Sequence, residues 1–184
     1  MPPLRIVDDL SLPLSLIGLL TTPPVPLATL EAVPAQPGFY ALLYQGPHRL
    51  YRSISGRNIP IYVGSAERLT ARLGDHARSI DAATNLHLDD FTALAVPTAS
   101  SVDARVAEII VQQALQPVWC SSIAQGFGSR RQGSRRESTQ LATRWDTIHP
   151  GRTWAGAMTN RDPAAIAADV IEALREFDEL LLAG

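Results

Sequence analysis

Three short runs rich in aromatic and aliphatic residues constrain the fold most: Gly38 to Tyr44 (GFYALLY), Ile59 to Gly64 (IPIYVG) and Phe91 to Val96 (FTALAV). Each is six or seven residues long, the length and composition of a strand rather than a helix. Pro60 lacks an N–H and suits only the first positions of a strand. After the second run, Ser65 can cap a helix reaching about Ile80. After the third, Ser100 or Ser101 can cap a second helix, Val102 to Gln116, which Pro117 ends. The order strand, strand, helix, strand, helix predicts an α+β fold. Its centre is a small, mostly antiparallel three-stranded sheet with helices packed on it.

The rest of the chain reads as appendages. Residues 1–37 carry eight prolines, so 1–34 read as an extension with one short helix near Leu10 to Leu20. Gln45 to Asn58 reads as a loop or hairpin arm, with a short strand at His48 to Arg52. Cys120 to Ser138, rich in Gly, Ser and Arg, reads as loop, and Glu137 to Trp145 as a short helix. Asp162 then Pro163 make an N-cap and first-turn pair opening a last helix to about Leu182. Ile166, Val170, Leu174 and Phe177 or Leu181 share one apolar stripe of it, for packing. The expected divisions are an extension (1–34), a core (35–158) with an arginine-rich insertion (120–157), and a C-terminal helix (159–184).

Composition narrows the functional class. Hydrophobic residues make up 46% of the chain, which supports a packed core and excludes a largely disordered protein. A single cysteine, Cys120, provides no disulfide framework and no CxxC metal pair, and fits a reducing cytoplasmic setting. The longest apolar run, Leu10 to Leu20, holds Pro13 and two serines and follows two aspartates. It is too short for a bilayer, and its flank is wrong for a signal peptide. The net charge of −2 hides an uneven spread, and all sixteen lysine-or-arginine positions are arginine. Residues 120–155 balance at +4 and residues 159–184 at −4. Overall neutrality therefore does not exclude nucleic acid, because the local field faces the phosphates.

In the first helix, Leu69, Leu73 and Ile80 fall on one stripe at about 100° per residue. Arg72 and His76, spaced i to i+4, lie on the edge of that stripe, where they either reach the helix rim or face a site. The second helix is apolar around most of its circumference. Glu108 on it pairs with Arg105 at i to i+3 or holds a hard divalent ion. Tyr40 and Tyr62, near strand edges, read as packing or as site residues.

Gly38-Phe39-Tyr40 and, about twenty residues on, Tyr62-Val63-Gly64 resemble the paired marks of the GIY-YIG nuclease superfamily. Arg72, His76 and Glu108 follow in that superfamily's order and spacing. The segments PIYVGSA, NLHLDDF, LQPVW, Gly126-Phe127-Gly128 and WDTIHPGRTWA resemble one branch, the type II restriction endonucleases that cut the palindrome CCGCGG. The branch has a lysine where Ser65 stands, and the superfamily an asparagine where Cys120 follows Trp119.

The resemblance implies a bacterial endonuclease hydrolysing DNA phosphodiesters, with Tyr40, Tyr62, Arg72, His76 and Glu108 catalytic. Glu108 would hold one Mg²⁺ or Mn²⁺, and Ser65 and Cys120 would be active-site replacements that slow or abolish cleavage. Arg130, Arg131, Arg135, Arg136 and Arg152 would contact DNA, since arginine forks suit guanine and phosphate. A solvated arginine loop is the alternative. A palindrome read by one small chain implies a homodimer on double-stranded DNA. A DNA-binding relative without cleavage, and a nuclease of repair or mobile-element type, are the other readings.

Overall fold

The computed structural model describes residues 23–128, 141–156 and 159–183. Strands run over Val25–Pro26 (β1), Gly38–Tyr44 (β2), Pro60–Ala66 (β3) and Phe91–Pro97 (β4). Helices run over Leu69–Asp81 (α1), Ser101–Leu115 (α2), Arg144–Ile148 (α3) and Pro163–Ala183 (α4). The sheet order is β1-β4-β2-β3, with every pairing antiparallel. The fold is α+β as expected, with four strands instead of three. The addition is Val25 and Pro26, paired with Ala93 and Thr92; a dipeptide beside prolines carries no periodicity to reveal it.

Central β2 is buried along its whole length, and its side chains alternate between two faces. Tyr40, Leu42 and Tyr44 join the larger core with Leu69, Leu73 and Ile80 of α1. Phe39, Ala41 and Leu43 join a smaller core with Ala107 and Val111 of α2. The two helices therefore cover opposite faces of the sheet.

Capping follows the sequence at two helices and not at the third. The Ser100 hydroxyl accepts from the Asp103 N–H at 3.1 Å, and an Asp162 carboxylate oxygen from the Ala164 N–H at 2.8 Å. Ser65 does not cap α1. It stays in β3 opposite Phe39, because the β2–β3 ladder runs on through Ala66, and α1 begins after Arg68. The strand expected at His48 to Arg52 is a 3₁₀ turn, Arg49–Tyr51, that buries Leu50 and Tyr51 without pairing. Ile166, Val170 and Leu174 of α4 are buried in the larger core. The helix expected at Leu10 to Leu20 lies outside the described residues.

Beyond α2 the chain runs along the outer edge of β3. The Trp119 N–H donates to the Ile61 carbonyl at 3.0 Å, which covers an edge that would otherwise offer unpaired groups. The described parts of 120–157 are not a detached loop: Phe127, Trp145 and Ile148 are core residues. Their rings bury too much apolar surface to stay in solvent.

Candidate active site

Two motif glycines make room for the phenols. A Cβ on Gly64 would stand 2.5 Å from the Tyr40 hydroxyl, and one on Gly128 would collide with the Tyr62 hydroxyl. Gly38 is likewise pressed against the Val96 carbonyl and Leu69. The Tyr40 and Tyr62 rings lie 6.2 Å apart between centroids, with the His76 ring 5.4 Å from the first and 5.1 Å from the second.

The Tyr40 hydroxyl lies 2.6 Å from His76 Nε2. Burial, joined by the neighbouring charges of Arg72 and Arg152, lowers the His76 pKa well below its ordinary value, so the imidazole is neutral. Burial first, then Tyr62, raises Tyr40 well above the usual phenol range, against the pull of Arg72. Both groups are therefore neutral, and in the Nδ1–H tautomer the phenol donates and Nε2 accepts. Phe127 stacks on the imidazole at 4.6 Å and 16°.

Arg72 is half-buried. It lies close enough to both phenols to favour their ionisation, and its Nη2 donates to the Gly128 carbonyl at 2.8 Å. Neither Arg72 nor His76 stays on the helix rim. With Ser65, Arg68, Phe127 and Trp154 they line a cleft of about 1040 Å³.

Glu108 arrives from the opposite face, around the edge of β3. Its carboxylate is near enough to both phenols to oppose their ionisation. It is only 7% exposed and takes three donors: Ser65 Oγ at 2.5 Å, Arg105 Nη1 at 2.7 Å and Gln112 Nε2 at 3.0 Å. The Arg105 pair allowed by helical spacing does form. The Gln112 contact was missed, although its i+4 spacing from Glu108 was a signal. Gln112 also donates to the Val63 carbonyl at 2.9 Å.

Cys120 spans Val63 as well, accepting from its N–H and donating to its carbonyl, each at 3.3 Å. Burial, eased slightly by the Val63 N–H, pushes the thiol up to about 12. A carboxamide at this position would make the same two bonds, so the thiol keeps the anchoring of β3 with weaker ones.

Among the described residues no cluster of three His, Cys, Asp or Glu side chains forms. The donors therefore do not make an all-protein cage. A hard divalent ion that keeps most of its waters needs little more than one carboxylate and a substrate phosphate, which Glu108 fits. Arg105 would have to release its oxygen, and its side chain is 64% exposed, so it can swing into solvent.

A family model described as the Eco29kI GIY-YIG domain matches residues 65–177, more than half of the chain. This chain belongs to the Eco29kI GIY-YIG family. The match begins after Tyr62-Val63-Gly64, so the two tyrosine marks rest on the geometry above, and it extends through α4 to Phe177. No curated protein matches the chain. This GIY-YIG domain is of a nuclease kind, with DNA as its substrate.

The expected DNA contacts divide. Arg130, Arg131, Arg135 and Arg136 lie outside the described residues. Arg152 is 5% exposed, and its fork is engaged inside the protein. Its Nε bonds Asp146 at 2.7 Å, and its Nη1 and Nη2 bond the Phe127 and Gly126 carbonyls at 3.0 and 3.1 Å. A guanidinium so committed has too few donors left for a phosphate, which corrects its expected place on the DNA. Phe127, quoted in the sequence only as part of Gly126-Phe127-Gly128, proves to be a wall of the cleft. A bulky residue between two glycines was the available signal for such close packing. No helix among the described residues is long and apolar enough to cross a membrane.

Proposed function

We propose that this GIY-YIG domain is a type II restriction endonuclease of the bacterial cytoplasm. It would hydrolyse double-stranded DNA at a GC-rich palindrome resembling CCGCGG, as a homodimer on its site. The observation that carries the reading is the buried phenol–imidazole pair of Tyr40 and His76 beside the Arg72 guanidinium.

A phenol is a poor base while it holds its proton. Here the neutral His76 can take that proton as Tyr40 draws one from the attacking water, a relay of general-base catalysis. Arg72 offers a planar fork to the non-bridging oxygens as negative charge develops. Tyr62, beside the same guanidinium and 6.2 Å from the Tyr40 ring, would border the same phosphate position. Glu108 would hold Mg²⁺ or Mn²⁺, which supplies charge neutralisation at the phosphate and help for the leaving 3′ oxygen. Arg130, Arg131, Arg135 and Arg136 would read guanines or clamp phosphates.

A weakened or inactive DNA-binding relative is the second reading. It is favoured by the three donors already on Glu108, two of them on Oε2. The test is plasmid bearing CCGCGG sites, with and without Mg²⁺, beside a Glu108→Ala control. Discrete fragments that need both metal and Glu108 support the first reading. A gel shift without cutting supports the second, and irregular nicking elsewhere points to a repair or mobile-element nuclease.

A further inference from the structure

Arg152 is held more completely than any surface contact would require. Its Nη2 and Nε both meet one Asp146 oxygen, at 2.6 and 2.7 Å. Its guanidinium carbon sits 4.4 Å from the centre of the Trp145 ring. The other Asp146 oxygen takes the Thr143 hydroxyl at 2.6 Å, at the start of α3. The clamp is thus anchored on a helix, and its free side grips the carbonyls of Gly126 and Phe127.

That gripped segment touches three site residues. Phe127 stacks flat on His76 and meets Tyr62 edge-on at 5.1 Å. The Gly128 carbonyl receives Arg72, and Gly128 leaves the space that the Tyr62 hydroxyl fills. A shift of the segment would move the imidazole, the guanidinium and one phenol together.

We propose that Arg152 is a positioning residue for cleavage: it clamps residues 126–127 and so fixes the orientation of His76, Arg72 and Tyr62. The inference rests on the nuclease reading of those side chains. Charge adds to the geometry. His76 is faced by Tyr40 from β2, Tyr62 from β3, Arg72 from its own helix, Phe127 from the clamped segment and Arg152 from the chain after α3. Both arginines help to keep it unprotonated.

The test compares the full chain with Arg152→Lys and Arg152→Gln on a CCGCGG duplex, with Ca²⁺ for binding and Mg²⁺ for cleavage. Misplacement of about an ångström costs on the order of 100-fold in rate. The expected result is a kcat loss of that order in both variants, with Kd and its salt dependence unchanged. The acid limb of the kcat profile moves to higher pH in Arg152→Gln, and less in Arg152→Lys, which keeps the charge. A weakened Kd with a salt slope smaller by about 1 and kcat retained would identify a phosphate contact instead and overturn the proposal. So would unchanged kinetics.

If Arg152→Gln does not fold, Phe127→Leu decides, since it keeps the clamp and removes the flat face on His76. A lost kcat with retained Kd upholds the proposal, and a wild-type kcat overturns it. If the unmutated protein cuts no duplex, the nuclease reading falls, and imidazole nitrogen NMR settles the clamp separately. His76 should titrate at higher pH in Arg152→Gln, with its ring shifts altered; identical titration and shifts would overturn the clamp.

Discussion

The Tyr40 hydroxyl stands 2.6 Å from Nε2 of His76, and both side chains are buried. Neither group alone suits the deprotonation of water, but the pair can pass a proton from one to the other. Tyr40→Phe removes one hydroxyl and keeps the ring that packs on Tyr62, so folding should survive. Its single-turnover cleavage rate should fall by about 10²- to 10⁴-fold, with duplex binding retained. His76→Ala should lose activity similarly. It should also lose about 1–3 kcal/mol of stability, because it leaves a buried hydroxyl unpaired; thermal melts beside the rate assay check both.

Gly64 offers a separate check on the position of the phenol. An added methyl group would stand 2.5 Å from the Tyr40 hydroxyl, inside any allowed contact. Gly64→Ala should yield a folded, DNA-binding protein whose cleavage is reduced nearly as far as in Tyr40→Phe. Full activity in that variant would show that Tyr40 can move freely, contrary to the packing.

The carboxylate end of the site should respond to its donors. Arg105 occupies a Glu108 oxygen that a cation would need, and since the arginine side chain is 64% exposed, releasing it costs about 0.2–1 kcal/mol. Arg105→Ala should lower the Mg²⁺ concentration for half-maximal cleavage by up to about fivefold, read from a metal titration. Ser65 lines the cleft and donates to the same oxygen. Ser65→Lys should raise the cleavage rate, and an unchanged or lower rate would count against help from that position.

Acid should destabilise the fold in a defined window. Burial holds His76 well below its ordinary pKa, and burial with the charges of His48 and Arg152 lowers His149 to about 3. His149 is enclosed by the Tyr51 hydroxyl on one ring nitrogen and by Asn85 at 2.9 Å on the other. The unfolded chain therefore binds more protons than the folded one below about pH 6.5. Stability is full above that pH and is lost as pH falls, through about pH 3 for His149. Each histidine contributes up to about 1.4 kcal/mol per pH unit. Urea titrations between pH 7.5 and 4.5 should show the fall, and His149→Gln should remove close to half of its slope.

Much of this molecule was legible in one dimension. Apolar and aromatic content marked β2 and β4 to within a residue, and side-chain caps marked the starts of α2 and α4, because composition and capping are local properties. The ordered set Tyr40, Tyr62, Arg72, His76 and Glu108 was legible as a resemblance, and its first four members do lie together, with Arg72 and His76 lining the cleft. Tertiary structure alone decided the rest. Val25 and Pro26 become a strand only because β4 has an open side. Ser65 stays in the sheet because a ladder bond outweighs a local cap. Cys120 spans Val63 because the turn after α2 lays it along the edge of β3. Arg152 turned inward for the same kind of reason. Its long fork is satisfied by two carbonyls and a carboxylate that lie apart in sequence and adjoin only after folding, so no local pattern could tell a clamp from a DNA contact.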